Sequence, residues 1–286
     1  MPAGILGVDH PVIAVENMDA AEITYRNLGF TIPPRGSHME WGTGNWCIMF
    51  PDDYLELRGI ADASRYTHHL DEFLAERGEG LMGLAFATAD AEDSYRTAVD
   101  TGLKPTALKD LTRRFHLSTG DAFPKFRIVY LSESDAPGLL TSVICGHLTP
   151  ELIRRQEWLT HPNAVVGVSS ITVVVADPMA CRGAYEKLFG ADKVRAADGA
   201  LQVDFPRGAR LEILSPQAAA KRGVALPNGK LPYLPAMTLA VTDIARTKAT
   251  LAANGVAFET ADGGTAITVA PSSTCGVIMT FAARHV

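Results

Sequence analysis

One short strand pattern occurs twice in this chain, and the duplication limits the folds that the sequence can adopt. Residues 54–58 read Tyr-Leu-Glu-Leu-Arg and residues 210–214 read Arg-Leu-Glu-Ile-Leu, so each copy places one carboxylate between two aliphatic residues. Successive side chains of a strand point to opposite faces. Tyr54, Glu56 and Arg58 are therefore predicted to share one face of their strand. Glu56 and Glu212 are predicted to point away from their aliphatic neighbours, into a concave interior or into solvent.

The same duplication extends along most of the chain. Three pairs of longer blocks resemble each other: residues 8–30 and 168–190, residues 84–102 and 237–255, and residues 138–143 and 276–281. The spacing is constant inside each block and becomes shorter between blocks. This pattern indicates one architecture written twice, with shorter loops in the second copy.

Each copy contains the same order of elements twice. A β-branched strand is followed by an amphipathic helix that ends near glycine, and then by about three short strands. Asp90 and Asp243 are predicted helix N-caps, and Gly102 and Gly255 are predicted to follow the ends of the same helices. The sequence therefore predicts four β-α-β-β-β units.

The predicted fold class is α+β, with two tandem domains. The first domain spans residues 1–147 and the second spans residues 166–286. Residues 148–165 form a linker with two prolines and a short helix. Because this linker is rather apolar, we expect it to pack between the domains.

Composition excludes several classes of partner. The net charge is −6 and the basic residues do not cluster, which argues against nucleic acid. No apolar run approaches the roughly 20 residues that span a bilayer, and the first residues do not resemble a secretory signal. The four cysteines form no CxxC pair and are predicted to be buried thiols of a cytoplasmic protein.

The repeat, the His10 strand and the Tyr-Leu-Glu-Leu strand together carry a family resemblance. The chain resembles the vicinal oxygen chelate superfamily, and within it the glyoxalase-like group of glyoxalases, bleomycin-resistance proteins and extradiol dioxygenases. The resemblance covers nearly the whole chain. It implies a half-barrel cup in each domain, with a divalent metal held at its base by His and Glu side chains from the first, fourth, fifth and eighth strands.

The metal positions implied by this resemblance are only partly occupied by ligands. In the first domain two positions hold His10 and Glu56, which match the family, and two hold Gly83 and Ser142, which do not. His116 is the predicted third ligand. We therefore expect at most one divalent ion, zinc, nickel, manganese or iron, in this domain.

The second domain retains one plausible ligand, and its four corresponding positions read Ser170, Glu212, Ala236 and Thr280. We expect this domain to have lost any metal centre. His147, just after the eighth strand of the first domain, is a further candidate outside the usual positions.

Structural alternatives stand beside these roles. His10 could be a core histidine, and Glu56 could form an ion pair with Arg58 or Arg127. Glu212 is expected to pair with Arg207 or Arg210.

Residues around the predicted cup have two interpretations as well. His68 and His69 are predicted to form an exposed pair, since adjacent residues seldom bind one ion. Residues 42–45 are predicted to form a hairpin turn. Arg113, with Arg114, could bind an anionic substrate or belong to a solvated strand face.

Aromatic residues supply the predicted ligand-binding surface. Trp41, Trp46 and Phe50 are expected to form the apolar wall of the first cup, and Phe115 to add a stacking surface. Together with Arg58 and Arg113, the tryptophans and Phe115 are the predicted substrate-binding residues.

Two functions remain open from the sequence. The first is a metal-dependent lyase or isomerase acting on a small carbonyl or vicinal-oxygen compound, with Glu56 as ligand or as a general base, a task that needs a raised pKa. The second is metal-free sequestration of a small molecule, as in the bleomycin-resistance members. An extradiol-type dioxygenase is less favoured, because neither domain shows a 2-His-1-carboxylate triad. Whether the chain forms a homodimer stays open.

Overall fold

The structure is a computed structural model that describes residues 3–224 and 230–284. Its first domain is built from strands β1 (Ile5–Ala14), β2 (Gly36–His38), β3 (Thr43–Met49), β4 (Tyr54–Ile60), β5 (Gly80–Thr88), β6 (Ala107–Phe115), β7 (Lys125–Tyr130) and β8 (Thr141–His147). The helices are α1 (Met18–Asn27), α2 (Leu70–Arg77) and α3 (Ala91–Asp100). Apart from α2, this order is two consecutive β-α-β-β-β units.

The second domain repeats this order of elements. Its strands are β9 (Val165–Val174), β10 (Val194–Ala197), β11 (Ala200–Val203), β12 (Arg210–Leu214), β13 (Tyr233–Val241), β14 (Glu259–Ala261), β15 (Ala266–Val269) and β16 (Ile278–Ala283). Its helices are α4 (Pro178–Phe189), α5 (Pro216–Lys221) and α6 (Ile244–Ala253). The α+β class and the tandem arrangement are confirmed.

The predicted helix boundaries are confirmed at both copies of the repeated helix. The side chain of Asp90 accepts hydrogen bonds from two backbone N–H groups of α3, and that of Asp243 accepts one from α6. Gly102 and Gly255 follow these helices with φ values of 80° and 70°. Glycine adopts this left-handed conformation without steric cost, which is why both helices end there.

The two sheets differ in whether they close. In the first domain the strand order β1-β4-β3-β2-β6-β7-β8-β5 forms a closed barrel, because β2 pairs with β6 and β5 pairs with β1. The second sheet, in the order β10-β11-β12-β9-β13-β16-β15-β14, is open. The implied half-barrel cup is thus a complete barrel in the first domain.

Alternation along β3 divides its side chains between two cores. Cys47 and Met49 point into the barrel, whereas Trp46, Ile48 and Phe50 belong to the large core outside it. Trp46 donates a hydrogen bond from Nε1 to the carbonyl of Met18 on α1. Only one face of this apolar strand can therefore line a site.

The large core joins the two domains. Phe30 of the first domain lies 6.4 Å from Phe281 of the second, and Phe86 lies 5.1 Å from Phe189, measured between ring centroids. This core is continuous across the domain boundary.

The segment between the domains contains two short 3-10 turns, Pro150–Leu152 and Gln156–Trp158. Trp158 is buried beside Phe115, and His161 accepts from the N–H of Thr31 at 3.1 Å. All four cysteines are buried and unpaired as thiols. No helix in the described residues is long and apolar enough to cross a membrane.

Candidate functional site

The barrel of the first domain contains an open cavity, whose empty space is about 660 Å³ when the solvent at its mouth is included. Its walls combine apolar residues with a group of buried polar side chains. The buried polar residues that line it are His10, His38, Asn45, Glu56, Arg58, His68 and Arg113. A buried polar group lowers the stability of the fold unless it is hydrogen-bonded, so each of these side chains is expected to have a partner in the protein or in a bound ligand.

Glu56 is the most constrained of these side chains. Arg58, two residues along β4 on the same face, donates from Nε and from Nη2 to its two oxygens at 2.9 Å each. Asn45 donates to Oε1 at 2.8 Å. Burial would raise the pKa of Glu56, but Arg58 and His10 hold it well below its ordinary value. The carboxylate is therefore fixed in place and weakly basic.

His10 lies between two carboxylates. Its Nδ1 is 2.7 Å from Asp9 Oδ2 and its Nε2 is 3.3 Å from Glu56 Oε2. Burial opposes protonation, but the hydrogen bonds to Asp9 and Glu56 raise the pKa of His10 above its usual value. Asp9 orients the ring through Nδ1, and Nε2 faces Glu56, which lines the cavity together with His10. Tyr54 stacks on the ring at 4.2 Å.

His38 differs from His10, because its surroundings lower the pKa of the imidazole instead of raising it. Its Nδ1 lies 2.8 Å from the hydroxyl of Thr43, and its Nε2 is 3.5 Å from the amide nitrogen of Asn45. Burial, opposed by Glu56 and reinforced by Arg58, lowers the pKa of His38 to about 3. The imidazole is therefore neutral and positions its neighbours.

His68 is a second neutral imidazole, and it has no carboxylate partner in the described residues. It stacks on Trp41 at 4.3 Å between ring centroids, and its backbone has φ 56°. Its buried Nδ1 has no hydrogen-bond partner in the described part of the chain. Burial, with the charge of Arg58, lowers the pKa of His68 to about 4. This group is free to accept a proton from a ligand.

Arg113 carries the cavity's second guanidinium. It is 3% exposed, and its guanidinium carbon lies 3.9 Å from the ring centroid of Phe115. Nη1 donates to the sulfur of Cys47 at 2.9 Å. Nε and Nη2 are buried and have no hydrogen-bond partner in residues 3–224 and 230–284.

The structure brings together five of the residues selected from the sequence. His10, Trp41, Glu56, Arg58 and Arg113 all line the cavity. The shared face predicted for positions 54, 56 and 58 of β4 is observed, since all three line it.

Three other selected residues are not among those that line the cavity. Trp46 points to the large core, and Phe115 lies between Arg113 and Trp158. His116 has a half-exposed side chain and lies 3.4 Å from Asp121, so it is not near His10 and Glu56. It follows Phe115, which is buried, and alternation turns it outwards.

Several structural alternatives from the sequence are corrected or settled. Glu56 pairs with Arg58, whereas Arg127 pairs with Asp110 on the outer surface. Glu212 pairs with Arg222, not with Arg207 or Arg210. The reason is that α5 follows β12 directly and returns Arg222 to the face of Glu212.

Two predictions for loops are wrong. His68 is buried in the cavity wall, and only His69 is exposed. Residues 43–45 belong to β3 and not to a turn, so Asn45 points into the cavity. Phe50 lies in the large core, away from the first cup's wall.

The metal positions taken from the resemblance fit an ion poorly. Both oxygens of Glu56 are occupied by Arg58, whose positive charge repels a cation. A side chain at Gly83 would meet the carbonyl of Thr141 at 1.8 Å. Ser142 points out of the barrel and donates to the carbonyl of Leu139, because Thr141 and Val143 take the inward positions of β8.

A different trio could hold a metal ion. Asp9, Cys145 and His147 bring one donor atom each to within 4.8 Å of one another. Carboxylate, thiolate and imidazole are donors that suit zinc and similar ions. Without an ion, His147 Nε2 lies 2.9 Å from both oxygens of Asp9, so the pair is already satisfied by hydrogen bonding.

The residues that the sequence did not reveal share one cause. His38 and Asn45 flank a segment rich in glycine and polar residues, and His68 lies in a polar segment; both segments read as turns. Strand alternation from Cys47 back to Asn45 would have found Asn45. Nothing local would have found His68, because its burial depends on the stacking partner Trp41.

Comparisons with known proteins agree with this architecture. A family model described as a glyoxalase-like domain matches residues 8–189, well over half of the chain. A hypothetical protein from Staphylococcus aureus has a similar structure, with a TM-score of 0.71 and 13% identity over 97% of this chain and 99% of that one.

Two further solved structures share the fold. A mutant of 4-hydroxymandelate synthase from Streptomyces coelicolor has a TM-score of 0.63 and 14% identity over 100% of this chain and 95% of that one. A fusion of a xylose isomerase-like TIM barrel with 4-hydroxyphenylpyruvate dioxygenase has a TM-score of 0.60 and 14% identity, and this chain covers 50% of it. At these identities the likeness shows the fold alone.

Proposed function

Because the chain belongs to the glyoxalase-like domain family of the vicinal oxygen chelate superfamily, we propose that it is a lyase or isomerase that moves a proton on a small carbonyl compound inside the barrel of its first domain. One observation carries the proposal. The same cavity contains an imidazole held between two carboxylates, His10, and an imidazole that has no carboxylate partner among the described residues, His68. Groups whose surroundings push their protonation in opposite directions suit acid and base roles.

His68 is the proposed base. A neutral imidazole with a pKa of about 4 is as basic as an ordinary carboxylate side chain. It would take a proton from the carbon beside the carbonyl group, and the electron pair of that C–H bond would form an enolate. His38 is less suited to this step, because its Nδ1 is already engaged by Thr43.

His10 is the proposed acid. Nε2–H would pass its proton to the developing enolate oxygen, with Asp9 holding the ring through Nδ1. Return of a proton to a different carbon completes an isomerisation, and loss of a leaving group completes an elimination. Glu56 then serves to position His10 and Arg58, since Arg58 keeps it weakly basic. Glu56 as a general base would need the raised pKa that its neighbours prevent.

A metal-dependent form of this function is the second candidate, favoured by the Asp9, Cys145 and His147 trio. A single divalent ion there would polarise an oxygen of the ligand. Metal analysis of the purified protein and of Cys145→Ala tests it. A stoichiometric ion that is lost in the variant supports this candidate, whereas equal metal content in both proteins removes it.

Deuterium exchange tests the proposal. The protein is incubated in D₂O with 2-oxobutanoate, 1-hydroxy-2-butanone or lactaldehyde, and loss of the α-proton signal is followed by NMR. We expect the wild type to accelerate exchange in at least one compound and His68→Gln to slow it by about 10²–10⁴-fold. His69→Gln is the matched control, because that neighbour is exposed. Unchanged exchange in His68→Gln would exclude His68 as the base.

A further inference from the structure

Arg113 is a buried cation that lines the cavity. No carboxylate in the described residues pairs with its guanidinium, and its one hydrogen bond goes to the sulfur of Cys47. Burying an unpaired charge normally destabilises a protein strongly. Such a group persists where a bound ligand supplies the missing partner, and Arg113 lines the cavity.

The guanidinium is held rigidly, and one of its edges makes no hydrogen bond within the described residues. The ring of Phe115 packs against one face of the guanidinium, and the sulfur of Cys47 accepts a hydrogen bond from Nη1. The two nitrogens without a partner, Nε and Nη2, lie on the same edge of the planar group and form a fork. Such a fork matches the two oxygens of a carboxylate. The fork exists because Gly36 has no side chain, since a Cβ there would lie 2.3 Å from Nε.

An acceptor lies beside this fork. The amide oxygen of Asn45 is buried and has no hydrogen-bond partner in the part of the chain that the structure describes. Its orientation is fixed because Nδ2 donates to Glu56. The oxygen would lie 2.5 Å from a Gly36 Cβ, so it faces the same space as Arg113 Nε. A ligand would therefore find two donors and one acceptor together.

The charge balance of the cavity favours a single negative charge. Arg58 is neutralised by Glu56, and His10 lies between Glu56 and Asp9. Arg113 is the cation that remains without a carboxylate among the described residues. One uncompensated charge matches a carboxylate better than a phosphate dianion.

We propose that Arg113 binds the carboxylate of a small organic acid through Nε and Nη2, while a hydroxyl or N–H group of the same ligand donates to the amide oxygen of Asn45. The proposal rests on the proposed function for the site and narrows its substrate class to carbonyl compounds that carry a carboxylate. The apolar walls would contact the rest of the molecule, and they include Leu111, Phe126, Ile128 and Val143.

Calorimetric titration with matched probes tests this site. The probes are acetate, butanoate and 3-phenylpropanoate, each compared with its neutral amide, and phenyl phosphate. We expect at least one carboxylate to bind the wild type about 10- to 100-fold more tightly than its amide, the effect of hydrogen bonds to a charged group. If no carboxylate binds better than its amide, the proposal is wrong. Tighter binding of phenyl phosphate would overturn the choice of carboxylate.

Variants show whether Arg113 is the group responsible. Arg113→Met should abolish the preference for acid over amide, and Arg113→Lys should retain only part of it, because lysine has no fork. Arg114→Met is the matched control, since this next residue is paired with Asp121 on the outer surface. An equal preference in Arg113→Met and wild type would contradict the site.

Thermal stability provides a readout that does not need a ligand. Arg113→Met retains much of the side-chain volume and removes the unpaired charge, so the ligand-free variant should melt about 2–4 °C higher than the wild type. A lower melting temperature would indicate a structural cation instead. The binding and exchange experiments test the two proposals separately. Arg113-dependent binding without deuterium exchange would exclude only the proposed proton transfer. Exchange of neutral compounds that persists in Arg113→Met would exclude only the proposed carboxylate site.

Discussion

The two copies of the repeated strand show how closure of a sheet converts a surface pair into a buried site. Glu56 and Glu212 both pair with an arginine, at the same distance of 2.9 Å. In the closed barrel both partners of the Glu56 pair are almost fully buried, whereas Glu212 and Arg222 are 24% and 47% exposed.

The strand pair that closes the barrel also supplies the site. β2 pairs with β6 so that His38 lies opposite Arg113 and Gly36 lies opposite Phe115. In the second domain β10 and β14 end the sheet without meeting. The position that corresponds to His10 is Ser170, and the position of Arg58 is Leu214. The second domain therefore has neither the enclosure nor the residues that produce shifted pKa values in the first.

The largest predicted effect comes from removing one arginine from each pair. Arg58→Met leaves a buried carboxylate without its main partner, and we expect it to lower the free energy of unfolding by about 3–5 kcal/mol. Arg222→Met, the matched change in the open sheet, should cost less than about 1 kcal/mol because water replaces the partner. Urea denaturation of both variants measures this. Similar costs for the two variants would break the comparison.

The second effect concerns the junction between the domains. Asp53 is buried, and both its oxygens lie 3.2 Å from the N–H of Val168. Burial raises the pKa of Asp53 from 3.8 to about 8. The folded protein therefore favours the protonated carboxyl group of Asp53. The stability that this protonation contributes is fully present below about pH 4 and is lost as the pH rises through about 8.

Asp53→Asn removes this titration. We therefore compare the free energies of unfolding of the variant and the wild type. We expect the variant's value, relative to that of the wild type, to increase by roughly 2–4 kcal/mol as the pH rises from 5 to 9. Unfolding measured across this range isolates the residue, since other titrating groups are common to both proteins. A difference that does not change with pH would contradict the assignment.

The smallest effect comes from glycine. Gly36→Ala places a Cβ against Arg113 and Asn45 and should cost about 1–3 kcal/mol, because neither side chain has room to move without losing a contact. Gly183→Ala in α4 meets nothing within 4 Å and should stabilise by about 0.5–1 kcal/mol. Thermal denaturation compares the two. A neutral Gly36→Ala would show that the cavity wall is less tightly packed.

The sequence predicted the fold better than the site. Hydrophobic alternation and the repeat are local signals, so the units, the helix caps and the shared face of β4 could be read directly. The sequence does not reveal that only one of the two sheets closes. The reason is that β2 is three residues long and its pairing with β6 depends on contacts between residues far apart in sequence.

The same reason explains the missed and misplaced site residues. His68 and Asn45 acquire their roles from partners on other strands, Trp41 and Glu56. His116 was selected by residue type, which does not tell which face of a strand a side chain occupies. The position of a residue along a strand therefore predicts membership of the site better than its residue type alone.

The protonation states of the cavity histidines test the central claim most directly. Nitrogen-15 NMR of the imidazole side chains at pH 7, assigned with His10→Gln and His68→Gln, reports whether each ring is neutral or charged. We expect the charged fraction of His10 to exceed that of an ordinary histidine, because its pKa is raised, and His68 in the same protein to be neutral. A neutral His10 together with a protonated His68 would contradict the proposed acid and base, whatever the substrate is.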